Sequence, residues 1–251
     1  MFDFHDFIAS WSHLLMAGFM LFVALLLLRL TRKQPLKNRL AVLAYAGSAV
    51  TLYVLSGVFH SVRYIGTDDR RVWQLLDQTA IFGLIYGSNI PLLVYLLPSQ
   101  RRNWLLFLMG AIGLIGAMAL WLQPQHEVLV VAYIAIGLLG LVPMRTYFRH
   151  IGWWGTVWVF IMAGLYVVGA ICDAVQWPVL VSEGWLKLSY HETFHLFVIA
   201  GTTAHTILIV KYVIPTANPS RRGGFSVDRK AKVDHNSRVA HCAIPPALDR
   251  L

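Results

Sequence analysis

The sequence predicts an all-α integral membrane protein, a bundle of seven transmembrane helices. Three observations lead there. The chain is 57% hydrophobic and 13% charged, with a mean hydropathy of +0.61, whereas a soluble domain carries about a quarter charged residues. Its apolar residues fall into runs near the roughly 20 residues that cross a bilayer. Short polar joins separate the runs, and Trp104, Trp121, Trp153, Trp154, Trp177 and Trp185 gather near their ends, where interfacial aromatics sit.

The first span covers residues 13–30. No basic stretch and no small-residue cleavage site precedes it, so it reads as a retained helix and not a signal peptide. The second covers 40–59, after the join TRKQPLKN, and the third 75–97, interrupted by Asn89 and Pro91. The fourth covers 104–122 and the fifth 128–147, with Pro143 near its end. The sixth covers 153–172. A longer join through Gln176, Pro178 and Glu183 leads to the seventh, 194–214, entered through Tyr190 and His191. The membrane domain is thus 1–215. Residues 216–251 are rich in Pro, Gly, Ser and basic residues without sustained periodicity, and read as a mobile tail. His235 and His241 are solvated tail residues in this reading. Cys172 and Cys242 show neither paired nor metal-ligand spacing.

The net charge of +9 does not point to nucleic acid, because the basic residues sit in joins and tail. There they set membrane orientation, and the tail meets anionic lipid head groups. One side of the membrane holds Arg29, Arg32, Lys33, Lys37, Arg39, Arg101, Arg102, Arg145 and Arg149, together with the tail; the other holds Arg63, Arg70, Arg71 and Lys187. The positive-inside rule then predicts a multi-pass cell-membrane protein with its N-terminus outside and its tail in the cytoplasm.

The functional signal is YHETFHLFVIAGTTAH, Tyr190 to His205. His191 and His195 stand four apart, one turn above the other on a single helix face, and two imidazoles so placed can hold one metal ion. Far upstream stand Ser56 and His60 in LSGVFH, and an isolated carboxylate, Asp77, in LLDQTAIF. Ionisable groups at membrane segments are functional-site candidates by default. An even-numbered span's end and an odd-numbered span's start lie on one membrane side, so His13, Ser56, His60, Asp77, His191 and His195 share a leaflet. Three imidazoles make a zinc site with an open position, where zinc lowers the pKa of a bound water to about 7 and polarises a carbonyl. Asp77 would accept or orient that water's proton, and Ser56 would hydrogen-bond the water or a substrate oxygen.

Each residue also has a plainer reading: Ser56 as helix packing, Asp77 as a helix N-terminal charge, and His13 and Asp173 as interfacial residues. His205 lies ten residues past His195, about 15 Å along a helix, too far for the same ion. It reads as an interhelical hydrogen bonder. His5, His126 and His150 sit at ends or joins and read as solvated.

Together these motifs resemble the hemolysin III group of the progestin and adipoQ receptor family, which belongs to a wider set that includes the alkaline ceramidases. The resemblance rests on Ser56 with His60 near the end of span two, Asp77 early in span three, and His191 with His195 entering span seven. The family's later histidine in that span falls on His205. Where the family often has a Glu and an Asn before the first span's His, this chain has Asp6 and Ala9. The resemblance implies zinc held by His60, His191 and His195, Asp77 and Ser56 around the metal's water, and a seven-helix bundle with a lipid-accessible cavity. It also implies the opposite orientation to the charge count, since the receptor relatives place the N-terminus in the cytoplasm. Three functions follow as expectations: a ceramidase-like zinc hydrolase acting on the amide or ester of a membrane lipid, a receptor or membrane regulator with structural zinc, and a hemolysin-type pore.

Overall fold

The structure is a computed structural model and describes residues 7–61, 67–122, 126–179 and 189–218. His5, Asp6, Arg63, Glu183, Trp185, Lys187, His235, His241, Cys242 and the side chain of His126 lie outside the described residues, as does the tail beyond 218. The described chain is all helical: α1 (Phe7–Thr31), α2 (Leu36–Ser61), α3 (Thr67–Leu96), α4 (Ser99–Leu122), α5 (His126–Leu139), α6 (Met144–Ala174) and α7 (Tyr190–Leu208). A π-helical turn, Ile209–Val213, and a 3-10 turn, Ile214–Ala217, continue α7.

Six of these helices are long and apolar enough to cross a membrane. The exception is α5, and here the expected boundaries change. Its 14 residues span about 21 Å, short of the roughly 30 Å hydrocarbon core. The expected run to Tyr147 stops at Leu139, and residues 140–143 form a turn. Pro143 explains the stop, since it has no amide hydrogen and disfavours helix at the residue before it. The amides of Gly140, Leu141 and Val142 instead bond carbonyls three residues back, at 3.1, 2.9 and 3.2 Å. The chain re-enters helix at Met144, and α6 breaks at Gly152 (φ 68°, ψ −172°), a conformation that suits a residue without Cβ. Past that break α6 resumes at Trp153, the start expected of span six. Pro91, by contrast, does not end α3; prolines are tolerated in membrane helices where neighbouring groups make good the lost bond.

In sequence order α1 packs along α2, α2 along α3 and α6 along α7, and α7 closes back onto α1. α4 is peripheral, with only 11% of its apolar window buried and Phe107, Leu114 and Ile115 directed outward. Lipid gives apolar helices no hydrophobic reason to associate, so close approach and interhelical hydrogen bonds must hold them. Both are present at α6 and α7. A Cβ on Gly169 would stand 2.7 Å from Cβ of Phe197, and one on Gly201 would stand 2.8 Å from the Tyr166 ring. Thr202 is the polar hub. Its Oγ1 accepts from the Tyr53 hydroxyl at 2.8 Å and pairs with the Tyr166 hydroxyl at 3.0 Å, while its carbonyl accepts from Tyr45 at 2.8 Å. That knot ties α2, α6 and α7 together below the candidate site.

Candidate metal centre

His60 occupies the last turn of α2, and His191 and His195 the first two turns of α7. Their donor atoms all lie within 4.8 Å of one another. The Nε2 atoms of His60 and His191 are 3.3 Å apart. A tetrahedral ion with bonds of about 2.0–2.1 Å needs donors about 3.3–3.4 Å apart, so one pair already has that spacing. The widest pair need close by no more than about 1.4 Å, within reach of ring rotation. The three rings are mutually tilted, at 50°, 56° and 74°, so their edges converge and they do not stack. The donor set and its spacing fit a metal ion.

Two terminal motifs hold the pieces in place. Ser189 caps α7: its hydroxyl accepts from the His191 amide at 3.3 Å, and Glu192 accepts in return from the Ser189 amide at 2.8 Å. This reciprocal capping box fixes the turn that carries His191. At the end of α6, the Trp177 amide bonds the Cys172 carbonyl at 3.1 Å and the Gln176 amide bonds the Asp173 carbonyl at 3.3 Å. With Gln176 at φ 55°, this is a Schellman closure made without glycine. It sets Asp173 against α7, where the His191 Nδ1 meets Asp173 Oδ1 at 3.0 Å. A carboxylate oxygen there accepts, so Nδ1 carries the hydrogen, and in the neutral ring Nε2 then holds the lone pair.

The structure brings the other expected residues to the same place. Ser56 is buried and faces the Asp77 carboxylate, which lies in the field of His60 and His191. Ser56, Asp77, His191 and His195 line one end of an apolar cavity of about 240 Å³ enclosed by α1, α2, α3, α5, α6 and α7. The cavity runs down α3 from Gln74 past Ile81 and Ile85 to Leu92, a path of about 27 Å along the helix. His13 is not a fourth donor. It is buried, not interfacial: its ring stacks on His195 (3.9 Å, 16°) and meets the Tyr53 edge (5.0 Å).

His205 corrects an expectation. It is buried against Tyr45 (4.9 Å), yet neither ring nitrogen has a hydrogen-bond partner among the described residues. The Tyr45 hydroxyl is engaged by the Thr202 carbonyl and Thr206. Asp173 corrects another: read as interfacial, it contacts a candidate ligand. No local signal marks it, since it stands 18 residues from His191. Ser189 and Glu192 were legible, because Ser-x-x-Glu ahead of an apolar run is the capping-box signature.

Comparison with known proteins shows the family of the chain. The family described as haemolysin-III related matches residues 4–206. The chain is 28% identical over 179 residues to the hemolysin-3 of Bacillus cereus, covering 69% of this chain and 75% of that one. It is 24% identical over 218 residues to the adiponectin receptor protein of Drosophila melanogaster, covering 78% of this chain. It is 25% identical over 179 residues to an ADIPOR-like receptor of Eremothecium gossypii, covering 64% of this chain. The matches span 48% and 56% of those two receptors, so the chain covers about half of their length.

Proposed function

The chain belongs to the haemolysin-III-related family of membrane proteins, and from that premise we propose that it is a zinc-dependent hydrolase acting on the amide or ester of a membrane lipid. The observation that supports this most is the convergence of His60, His191 and His195 beside Asp77 at one end of an apolar cavity. A zinc ion held there supplies Lewis acidity and makes a bound water acidic near neutral pH.

The chain's own residues supply the rest. Asp77 takes the proton from the attacking water and returns it to the leaving amine or alkoxide. Ser56 faces that carboxylate and holds it toward the reacting oxygen. The apolar wall along α3 accepts the acyl chain and excludes water, which concentrates the polar groups at one end. The side chain of His191 is 35% exposed, so the polar end of the cavity is not sealed, while the acyl chain stays in the bundle.

The test is Asp77→Asn on detergent-purified protein. Metal content stays at the wild-type level, and release of fatty acid from a panel of ceramides, N-acyl amines and acyl esters falls by about 10²–10⁴-fold. Wild-type protein that holds zinc and cleaves none of them overturns the hydrolase. The similarity to two receptors favours one second reading, in which zinc clips α2 to α7 without touching substrate. There Asp77→Asn keeps metal, fold and biological effect alike.

The helix ends remote from the site support an orientation. They carry Arg32, Arg39, Arg102, Arg149 and Lys211, and no Asp or Glu among the described residues. The positive-inside rule places that face in the cytoplasm and the metal centre on the opposite side.

A further inference from the structure

We propose that Asp173 is a positioning residue of the metal centre: it holds His191 in the tautomer and ring orientation that leave Nε2 free to bind the ion. This rests on the zinc reading above and adds a residue to it.

The geometry is specific. The Nδ1–H of His191 donates to Asp173 Oδ1 at 3.0 Å, while the opposite ring nitrogen points at Nε2 of His60, 3.3 Å away. An imidazole whose Nδ1 is protonated and anchored presents its lone pair only through Nε2, and the anchor fixes the plane in which that lone pair lies. Metal-ligating histidines commonly donate their other N–H in this way, to a carboxylate, a carbonyl or water. The carboxylate also sets a negative charge beside a ligand ring, in a region where an uncompensated dication is costly.

An aspartate at the end of an apolar helix often does no more than face the head groups, but three features hold this one on His191. Gly169, one turn earlier, lets α6 lie against Phe197 and Phe194 of α7. The closure through Cys172, Asp173 and Gln176 ends α6 at that point. The Ser189–Glu192 capping box holds the turn of α7 that carries His191. Only 18% of the Asp173 side chain is exposed, so the contact forms under partial burial, away from the screening of open solvent.

The experiment measures zinc affinity of the full chain in detergent, by competition with a chelator of known affinity, for wild type, Asp173→Ala and Asp173→Asn. Each protein is also loaded with cobalt to record its visible ligand-field bands. Asp173→Ala weakens zinc binding by roughly 10–100-fold and shifts the cobalt bands. Asp173→Asn falls between it and wild type, because its carbonyl still accepts the Nδ1–H but carries no charge. The melting temperature of chelator-treated protein stays near wild type. Unchanged affinity and spectrum in Asp173→Ala overturns the proposal, as does an affinity loss matched by an equal loss of metal-free stability. Should Asp173→Ala not fold, Asp173→Asn decides, and wild-type affinity with a wild-type spectrum there counts against it. If wild type binds no zinc at all, the underlying reading fails first; if wild type binds and the variants bind equally, only the role of Asp173 fails.

Discussion

His60 and His191 stand 131 positions apart in sequence, yet their Nε2 atoms are 3.3 Å from each other. With its Nδ1–H committed to Asp173, the neutral His191 ring turns its Nε2 lone pair toward His60, so this one contact draws on α2, α6 and α7 together.

The first consequence concerns stoichiometry. Wild type binds about one zinc per chain, the content of a three-histidine centre, and His60→Ala, left with two donors on one helix, loses it on dialysis. Elemental analysis of both proteins, before and after zinc reloading, checks this. Retention of a full equivalent by His60→Ala would mean that the ion sits elsewhere.

Removing the α7 cap acts on stability and site together. Ser189→Ala deletes the acceptor for the His191 amide and leaves Glu192 without half of its exchange. Helix N-caps contribute about 1 kcal/mol, so the melting temperature falls modestly. Because the freed turn carries His191, zinc affinity falls as well. A thermal unfolding series with and without zinc separates the two, and an effect larger with zinc present is the expected result.

The α6–α7 approach is testable through one methyl group. Gly169→Ala puts a Cβ 2.7 Å from Cβ of Phe197, an atom that cannot swing away as a side-chain tip can. The helices must part, at a cost of about 1–3 kcal/mol for overpacking, and Asp173, a turn further on, moves off His191. Lower thermal stability and weaker zinc binding are expected together. Gly18→Ala on α1, where nothing lies within 4 Å, serves as the neutral control.

Thr202 should behave as a hub and not as filler. Thr202→Val keeps its shape but removes the oxygen that serves Tyr53 and Tyr166, while the backbone bond from Tyr45 survives. Hydrogen bonds between membrane helices average about 0.6 kcal/mol and reach about 1.7, so a loss of about 1–3 kcal/mol is expected. Thr202→Ser restores most of it. Equal unfolding of all three proteins in a denaturant titration would rule out the hub.

The local half of the site was open to inspection from sequence. His191 and His195 at a spacing of four share a helix face whatever the rest of the protein does. The alternation of spans then brought His60, Ser56 and Asp77 to the same membrane side, and the structure has Ser56, Asp77, His191 and His195 lining one cavity with His60 beside them. Parity of spans fixes a side, not a contact. It left His13 open between a residue of the site's leaflet and a plain interfacial one, where the structure stacks it on His195, and it said nothing of which carboxylate meets His191.

What the sequence by itself determined is the set of quantities that depend on neighbours along the chain: apolar helices, their caps, the pair of imidazoles on one face, and the side of each span end. What only the tertiary structure decided is register between helices distant in sequence. The breadth of the α6–α7 gap at Gly169 sets where Asp173 falls on α7, and the turn before Pro143 shortens α5 where hydropathy alone ran on to Tyr147. Hydropathy averages over a window and carries no phase between two helices. In lipid, where apolar surface exerts little pull of its own, that phase is set by small residues and a few interhelical hydrogen bonds.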